Sequence, residues 1–156
     1  MRISIALLLL FSISGCKDDV LLNNTPYFEC NKALGLTIVT AHDRIIGKWK
    51  WERRVCCGLM ASGQKPYEDK DSFAGQVVEF RADGTGEILR GTNRKSFLWD
   101  LKLNPAAEDT FDWVQDLSAG KVVPDETMYG YILFCDDQLI FLNTPVDGAD
   151  NFYLKF

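Results

Sequence analysis

The stretch QVVEFRADGTGEILR, residues 76–90, decides the fold class of this chain. Within it, Val78 and Phe80 alternate with polar residues, which is the period expected of a strand with one wet face. Residues 82–85 contain Asp-Gly, a strong short-range signal for a hairpin turn. Residues 86–90 supply the return strand. The sequence therefore predicts an antiparallel β-hairpin at this point.

The same period of two continues from residue 46 to the last residue. Strands are predicted over residues 46–56, 76–81, 86–90, 96–103, 111–115, 127–135, 138–143 and 151–156. Side chains at alternate positions are expected to face inward: Trp49, Trp51, Val55, Val78, Phe80, Phe97, Trp99, Leu101, Leu103, Phe152, Leu154 and Phe156. Eight short antiparallel strands indicate an all-β sandwich or closed barrel, and eight is the number at which a barrel interior just fills or holds one small ligand.

Composition limits the classes of function. The chain has 156 residues, 47% hydrophobic and 25% charged, with a formal net charge of −5. These values fit one folded domain and argue against disorder and against several membrane spans. Net acidity disfavours nucleic acid as a partner, because phosphates reward clustered Lys and Arg. No nucleotide-binding motif is present, so no cofactor is expected.

The N-terminus carries an export signal. Arg2 precedes an apolar stretch at residues 3–11, which is too short to span a bilayer and indicates a secretory signal peptide over residues 1–15. Residues 13–16, ISGC, resemble the lipobox of bacterial lipoproteins. That resemblance implies cleavage before Cys16 and acylation of its thiol. Cleavage would leave 16 basic against 22 acidic residues, a net charge of −6.

The lipoprotein resemblance implies a lipid anchor in the outer membrane, because several acyl chains on one residue hold a protein stably. Residues 16–19, CKDD, resemble a short export signal that sends some Gram-negative lipoproteins to the cell surface. Display on the surface and on the periplasmic face both remain open. Residues 16–43 are expected to form a tether and lead-in, within which residues 34–39 fit a strand or one helical turn.

Residues 44–156 resemble the short lipocalin-like domains of bacterial lipoproteins. The resemblance rests on IGKW at 46–49, GLMASG at 58–63, VEFRADGT at 78–85 and Tyr153. It implies an up-and-down, eight-stranded lipocalin-like barrel. In lipocalins the matching tryptophan, here Trp49, closes the barrel floor against a late arginine. No arginine follows Arg94 in this chain, and Lys155 is the nearby substitute.

The barrel topology predicts how the cysteines pair. Successive strands reverse direction, so strand one ends at the top with Cys56 and Cys57, whereas strand six ends at the bottom with Cys135. The lead-in with Cys30 also arrives at the bottom, which predicts a Cys30–Cys135 disulfide. Cys56 and Cys57 remain as a strained vicinal disulfide or as two thiols. A miscounted strand would let one of them pair with Cys135 instead.

An aromatic interior suggests what the barrel does. Trp49, Trp51, Phe80, Phe97, Trp99 and Tyr131 are expected either to line a cavity for a small hydrophobic ligand or to fill the barrel as core. The alternative function is a surface module with a packed barrel, whose loops at 58–73 or 106–127 engage a protein or serve glycan uptake. The single histidine, His42, lies in the lead-in. We expect no catalytic or metal site, and we expect the protein to be a monomer.

Overall fold

The computed structural model describes residues 25–56, 67–143 and 148–156. The predicted signal peptide, Cys16, Cys57 and residues 58–63 lie outside the described residues. The helices and strands are α1 Thr25–Ala33, α2 Ile38–Ile45, β1 Gly47–Cys56, β2 Tyr67–Asp69, β3 Val77–Phe80, β4 Thr85–Arg90, β5 Asn93–Leu98, β6 Leu101–Leu103, β7 Phe111–Trp113, β8 Tyr131–Cys135, β9 Gln138–Leu142 and β10 Ala149–Lys155. A short 3₁₀ helix, Glu126–Met128, precedes β8.

All described strands belong to one antiparallel sheet. Nine of them follow the order β5-β4-β3-β1-β10-β9-β8-β7-β6, and β2 pairs with β1 beside this path. Neighbours along the chain pair in hairpins, and the long ladder between β1 and β10 joins the first strand to the last. The sheet curls into a half-barrel. The prediction of a mostly β, antiparallel fold is confirmed.

The structure divides the predicted strand over residues 96–103 into two. Strand β5 pairs with β4, whereas β6 pairs with β7 at the opposite end of the sheet. At the bend between them, the Trp99 amide donates to the Gly84 carbonyl at 2.9 Å and the Asp100 carbonyl accepts from the Val114 amide at 2.9 Å. With β2, which the sequence did not predict, the described residues form ten strands instead of eight.

Two strands face differently from the prediction. Leu103 at the end of β6 is 54% exposed. In β10, Tyr153 pairs with Trp51 and is buried in the interior, so Leu154 and Phe156 are exposed at 37% and 69%. Phe152 is buried, but on the outer side of the sheet. The predicted inward positions at 152, 154 and 156 are wrong, because the inward phase of β10 is shifted by one residue. The prediction for Leu103 is also wrong, since this side chain at the end of β6 is exposed.

Strand β1 changes phase within its length. The register with β10 shifts between Trp51 and Arg53, which is the geometry of a β-bulge. Trp49 and Trp51 lie inside, whereas Val55 packs on the outer side of the sheet. The prediction that Val55 faces the interior is wrong, because one extra residue before Arg53 reverses the alternation.

The lead-in forms two helices that pack on the sheet. Pro26 occupies the first turn of α1, where its missing N–H costs nothing. Thr37 caps α2 in a capping box with Thr40. Residues 34–37 connect the helices and are not a strand, and Ala41 and Ile45 of α2 are buried against the barrel end.

The apolar core has two parts. The inner cluster lies on the concave side of the sheet and contains the tryptophans, Phe80, Phe141, Tyr153 and the buried face of α2. The outer cluster consists of Leu133, Ile140, Leu142 and Phe152, with Tyr27 and Phe28 of α1 packed against it. Strands β8 and β9 are therefore covered on both faces.

Candidate functional site

The interior of the half-barrel is filled by aromatic side chains packed ring against ring. Phe80 contacts Phe97, Trp99 and Trp113 with centroid distances of 5.6, 5.4 and 5.9 Å. Trp113 stacks on Phe141 at 5.8 Å, and Phe141 contacts Tyr153 at 5.6 Å. These geometries are the offset and edge-to-face arrangements that aromatic pairs prefer.

The structure brings together five of the six residues predicted to line a ligand cavity. Trp49, Trp51, Phe80, Phe97 and Trp99 all belong to the inner cluster and are almost fully buried. Tyr131 is separate from them, because it starts β8 and packs beside the outer cluster.

A buried polar network links the residue before β3 with β4, the 3₁₀ helix and β10. Gln76 donates from Nε2 to the hydroxyls of Thr127 and Tyr153 at 2.9 Å each, and its Oε1 accepts from Arg90 Nε at 2.8 Å. Arg90 also pairs with Asp125 at 3.3 Å. Burial raises the pKa of Tyr153, so its hydroxyl stays protonated. Every polar group of the Gln76 side chain has a partner, so this network has a structural role.

Trp49 and Lys155 form a second group of contacts, between β1, β10 and α2. Trp49 Nε1 donates to the Ile45 carbonyl at 2.6 Å. The Lys155 ammonium lies 5.1 Å above the Trp49 ring and donates to the Arg44 carbonyl at 2.9 Å. This contact is a cation–π interaction that links the last strand to α2 and β1.

The predicted disulfide between Cys30 and Cys135 is present, with the two Cα atoms 5.3 Å apart. It ties α1 to the end of β8, and Asn31 beside it accepts a hydrogen bond from the Phe134 amide at 2.8 Å. Cys56 ends β1. The state of Cys56 and Cys57 stays a prediction, because Cys57 lies outside the described residues.

A surface cleft opens where strands β7 and β8 part. Among the described residues these strands pair at the single position Phe111–Ile132. At Gly130 the backbone has φ of 102°, and a Cβ there would lie 2.2 Å from the Leu142 carbonyl oxygen. Glycine permits this close approach, so the chain entering β8 lies against β9 and leaves β7. The resulting cleft has a volume of about 340 Å³.

The cleft combines aromatic and polar side chains. Its lining includes Lys102, Asp112, Gln115, Tyr129, Tyr131 and Asn143. Asp112 Oδ1 accepts from Asn104 Nδ2 at 3.1 Å. Burial raises the pKa of Asp112, and Lys102, its cross-strand partner, acts in the opposite direction. This is the described surface that presents rings, amides and charges together.

His42 and the possible metal ligands take part in structural contacts in the described part of the chain. His42 stacks on Trp99 with a centroid distance of 4.5 Å, as a packed aromatic side chain. Within residues 25–56, 67–143 and 148–156, the grouping of possible metal ligands is Cys30, Cys135 and Asp136. Its two sulfurs are joined to each other in the disulfide, so they are not thiolate ligands.

Comparison with family models, with curated proteins and with solved structures finds no match for this chain. Among the described helices, none is long and apolar enough to cross a bilayer.

Sequence reasoning missed the cleft. Tyr129 falls within a predicted strand over residues 127–135, but the structure has a 3₁₀ helix, Glu126–Met128, and then the turn at Gly130 before β8 begins. Asp112 stands at a polar position of β7 and resembles any solvated strand residue. The available signal was Gly130 between two tyrosines, since an isolated glycine in a strand pattern marks a bulge or a close backbone approach.

Proposed function

We propose that this chain is a lipid-anchored lipoprotein of the outer membrane whose domain is a non-enzymatic, lipocalin-like binding module. In this proposal the barrel interior is a packed scaffold, and the module recognises its partner on its outer surface. The signal peptide is residues 1–15, the anchor is the acylated Cys16, the tether and lead-in are residues 16–43, and the domain is residues 44–156.

The lipocalin type is supported by the closed floor. Lys155 over Trp49 occupies the place that the resemblance gives to a late arginine against the signature tryptophan. If β5 and β6 are counted as two halves of one bent strand, and β2 as an addition to β1, the sheet has eight strands in up-and-down order. On this count the bent strand made of β5 and β6 joins the two edges of the sheet.

The observation that carries the packed-scaffold proposal is the inner cluster itself. Its rings contact one another from Phe97 through Phe80 and Trp113 to Tyr153, and the side chains of Gln76 and Trp49 add buried hydrogen bonds. A ligand would have to displace several of these rings, at a cost in packing energy.

Tryptophan fluorescence tests this proposal. The full chain in detergent is titrated with saturated and unsaturated fatty acids and with a monoacylglycerol. We expect no saturable change, since Trp49, Trp51 and Trp99 are already almost fully buried among other side chains. A saturable change that Phe80→Trp alters would overturn the packed scaffold.

The second candidate is a barrel that binds a small hydrophobic ligand inside. The observation favouring it is that five of the predicted lining residues converge on one interior space. The same titration decides between the two candidates, because the interior binder requires saturation at the tryptophans.

The anchor has its own test. Growth with labelled palmitate is expected to label the chain, and Cys16→Ala is expected to abolish the label and release the protein from the membrane fraction. Protease added to intact cells separates the two faces of the membrane, because a surface-displayed chain is cut and a periplasmic one is protected. A Cys16→Ala variant that keeps the label would overturn the lipoprotein proposal.

A further inference from the structure

We infer that the cleft between β7 and β8 binds the ring of a neutral saccharide. The inference rests on the proposed function, since it names the class of ligand that the outer surface of the module would recognise. Four properties of the cleft lead to it: an uncovered aromatic ring, polar groups of both hydrogen-bonding kinds, balanced charge and small size.

The aromatic ring is Tyr129. It is 50% exposed and makes no ring contact among the described residues. Trp113 also borders the cleft, but its faces are covered by Phe80 and Phe141, with which it stacks at 5.9 and 5.8 Å. Tyr131, the third ring of the lining, is partly buried against the outer cluster. Tyr129 is therefore the side chain that offers an exposed face to a ligand, and the face of an aromatic ring suits the apolar C–H face of a sugar.

The polar groups supply donors and acceptors together. Gln115 and Asn143 carry amides, each with an NH₂ group and a carbonyl oxygen. Asp112 uses Oδ1 for its bond with Asn104, and Oδ2 has no partner among the described residues. A ligand that fits this lining both gives and accepts hydrogen bonds, as a ring bearing several hydroxyl groups does.

Charge disfavours anionic ligands. Lys102 and Asp112 face each other across β6 and β7, so the charged pair of the cleft is balanced. The whole chain carries −5, which repels anions. A nucleotide or a fatty-acid carboxylate therefore finds no net positive charge here. A neutral polyhydroxylated ring meets the aromatic, polar and charge conditions at once.

Size agrees with a small ligand or with one residue of a longer chain. The volume of about 340 Å³ lies at the lower end of the roughly 300–1,000 Å³ of small-molecule sites. The free ring and the ring within a glycan share the same chemistry. The experiment must therefore include both sources.

Calorimetric titration of the full chain tests the assignment, in a zwitterionic detergent because alkyl glycosides carry the ring under test. The probes are the methyl glycosides of glucose, galactose, mannose and N-acetylglucosamine, together with maltoheptaose, cellohexaose and chitohexaose. Galacturonic acid is the charged comparison. We expect saturable binding of at least one neutral probe and weaker binding of the acid. Binding of the methyl glycosides assigns the free ring, and binding of the oligosaccharides alone assigns a residue within a chain.

Variants locate the binding. Tyr129→Ala is expected to weaken it about tenfold by removing the ring, whereas Tyr129→Phe keeps the face and is expected to bind like the unchanged protein. Tyr67→Ala is the matched control, because Tyr67 is 49% exposed on β2, outside the cleft, and its loss should leave the affinity unchanged. Asp112→Asn removes an acceptor while keeping the shape and is expected to weaken binding.

The assignment is overturned if no neutral probe saturates, or if Tyr129→Ala and Tyr67→Ala bind equally well. It is also overturned if the chain ignores every saccharide and binds a neutral dipeptide in a Tyr129-dependent manner, since the cleft would then be a peptide site. The packed scaffold fails on a separate readout, the fatty-acid titration. A negative saccharide panel with an unresponsive interior therefore removes the ligand class and leaves the proposed function standing.

Discussion

Strand β8 has two different edges, and the contrast between them explains where the molecule is closed and where it is open. On one side it pairs with β9 along its whole length. This side is covered by α1 and tied to it by the Cys30–Cys135 disulfide. On the other side it meets β7 at one position only, Phe111–Ile132, within the described residues. Backbone hydrogen bonds hold the first edge, and side chains hold the second.

Two side chains of β7 act at the second edge. Phe111 contacts Phe134 of β8 at a centroid distance of 6.1 Å, and Trp113 ties β7 to the elements on either side. Trp113 stacks between Phe80 and Phe141, and its Nε1 donates to the Met128 carbonyl at 2.9 Å. Strands β7 and β8 can stay apart because the Trp113 indole contributes ring packing and one buried hydrogen bond where backbone pairs are missing. The cleft follows from this, since strands held by side chains need not lie at the spacing of hydrogen-bonded strands.

The largest effect is expected where the side chain replaces the ladder. Trp113→Ala should lower the free energy of unfolding by about 3–5 kcal/mol, because it leaves a cavity between two rings. Trp113→Phe is the matched control, since it keeps a stacked ring, loses the Nε1 bond and should cost distinctly less. Chemical denaturation of the full chain measures both. Equal losses in the two variants would show that the hydrogen bond, and not the stacking, holds β7.

A smaller effect is expected from breaking the disulfide that covers the first edge. The double variant Cys30→Ser, Cys135→Ser should lose about 2–4 kcal/mol, because the bridge closes a long loop in the unfolded chain. The two cysteines are 105 residues apart. Hydrogen exchange should rise at the Phe134 amide, which bonds to Asn31 of α1. If exchange instead rises mainly in β7, the two edges of β8 are not independent and the comparison fails.

These two edges also divide what the sequence predicts from what it does not. The hairpins around Asp83 and between β8 and β9 follow from Asp-Gly and Asp-Asp turns between alternating strands, which are local signals. The Cys30–Cys135 pairing follows from strand parity. The disulfide prediction holds although residues 96–103 form two strands, because a strand that bends at Trp99 still leads from one end of the barrel to the other.

The remaining features depend on contacts between distant residues. Phe152 and Leu154 are both apolar, and they face outward because Tyr153 between them, paired with Trp51 of β1, takes the inward position. Phe152 is buried because α1 covers it, with Tyr27 at a centroid distance of 5.2 Å. The cleft likewise depends on how close Gly130 comes to Leu142. Alternation within one strand contains none of this information.

A modest effect is expected at the barrel floor, on the regular side of the sheet. Lys155→Ala removes the cation above Trp49 and the bond to the Arg44 carbonyl, and should cost about 0.5–1 kcal/mol. Lys155→Arg should restore most of the loss, because a guanidinium also stacks on an indole. Thermal unfolding with tryptophan fluorescence measures both variants. Equal losses for alanine and arginine would mean that the position does not require a cation.

The smallest effect concerns two exposed turns, one at each end of the sheet. The Thr85 hydroxyl donates to Asp83 at 2.7 Å and lowers its pKa in the β3–β4 hairpin, and the Ser118 hydroxyl does the same for Asp116 after β7. A carboxyl whose folded pKa lies below its unfolded value of about 3.9 stabilises the fold above that pH. This contribution is lost as the pH falls through the folded pKa. The unchanged protein should therefore lose stability below about pH 4, and Asp83→Asn and Asp116→Asn should each flatten that decline. A larger flattening by Asp116→Asn would show that the parted edge depends more on its turn than the paired edge does. An equal response would confine the difference between the edges to the aromatic side chains of β7.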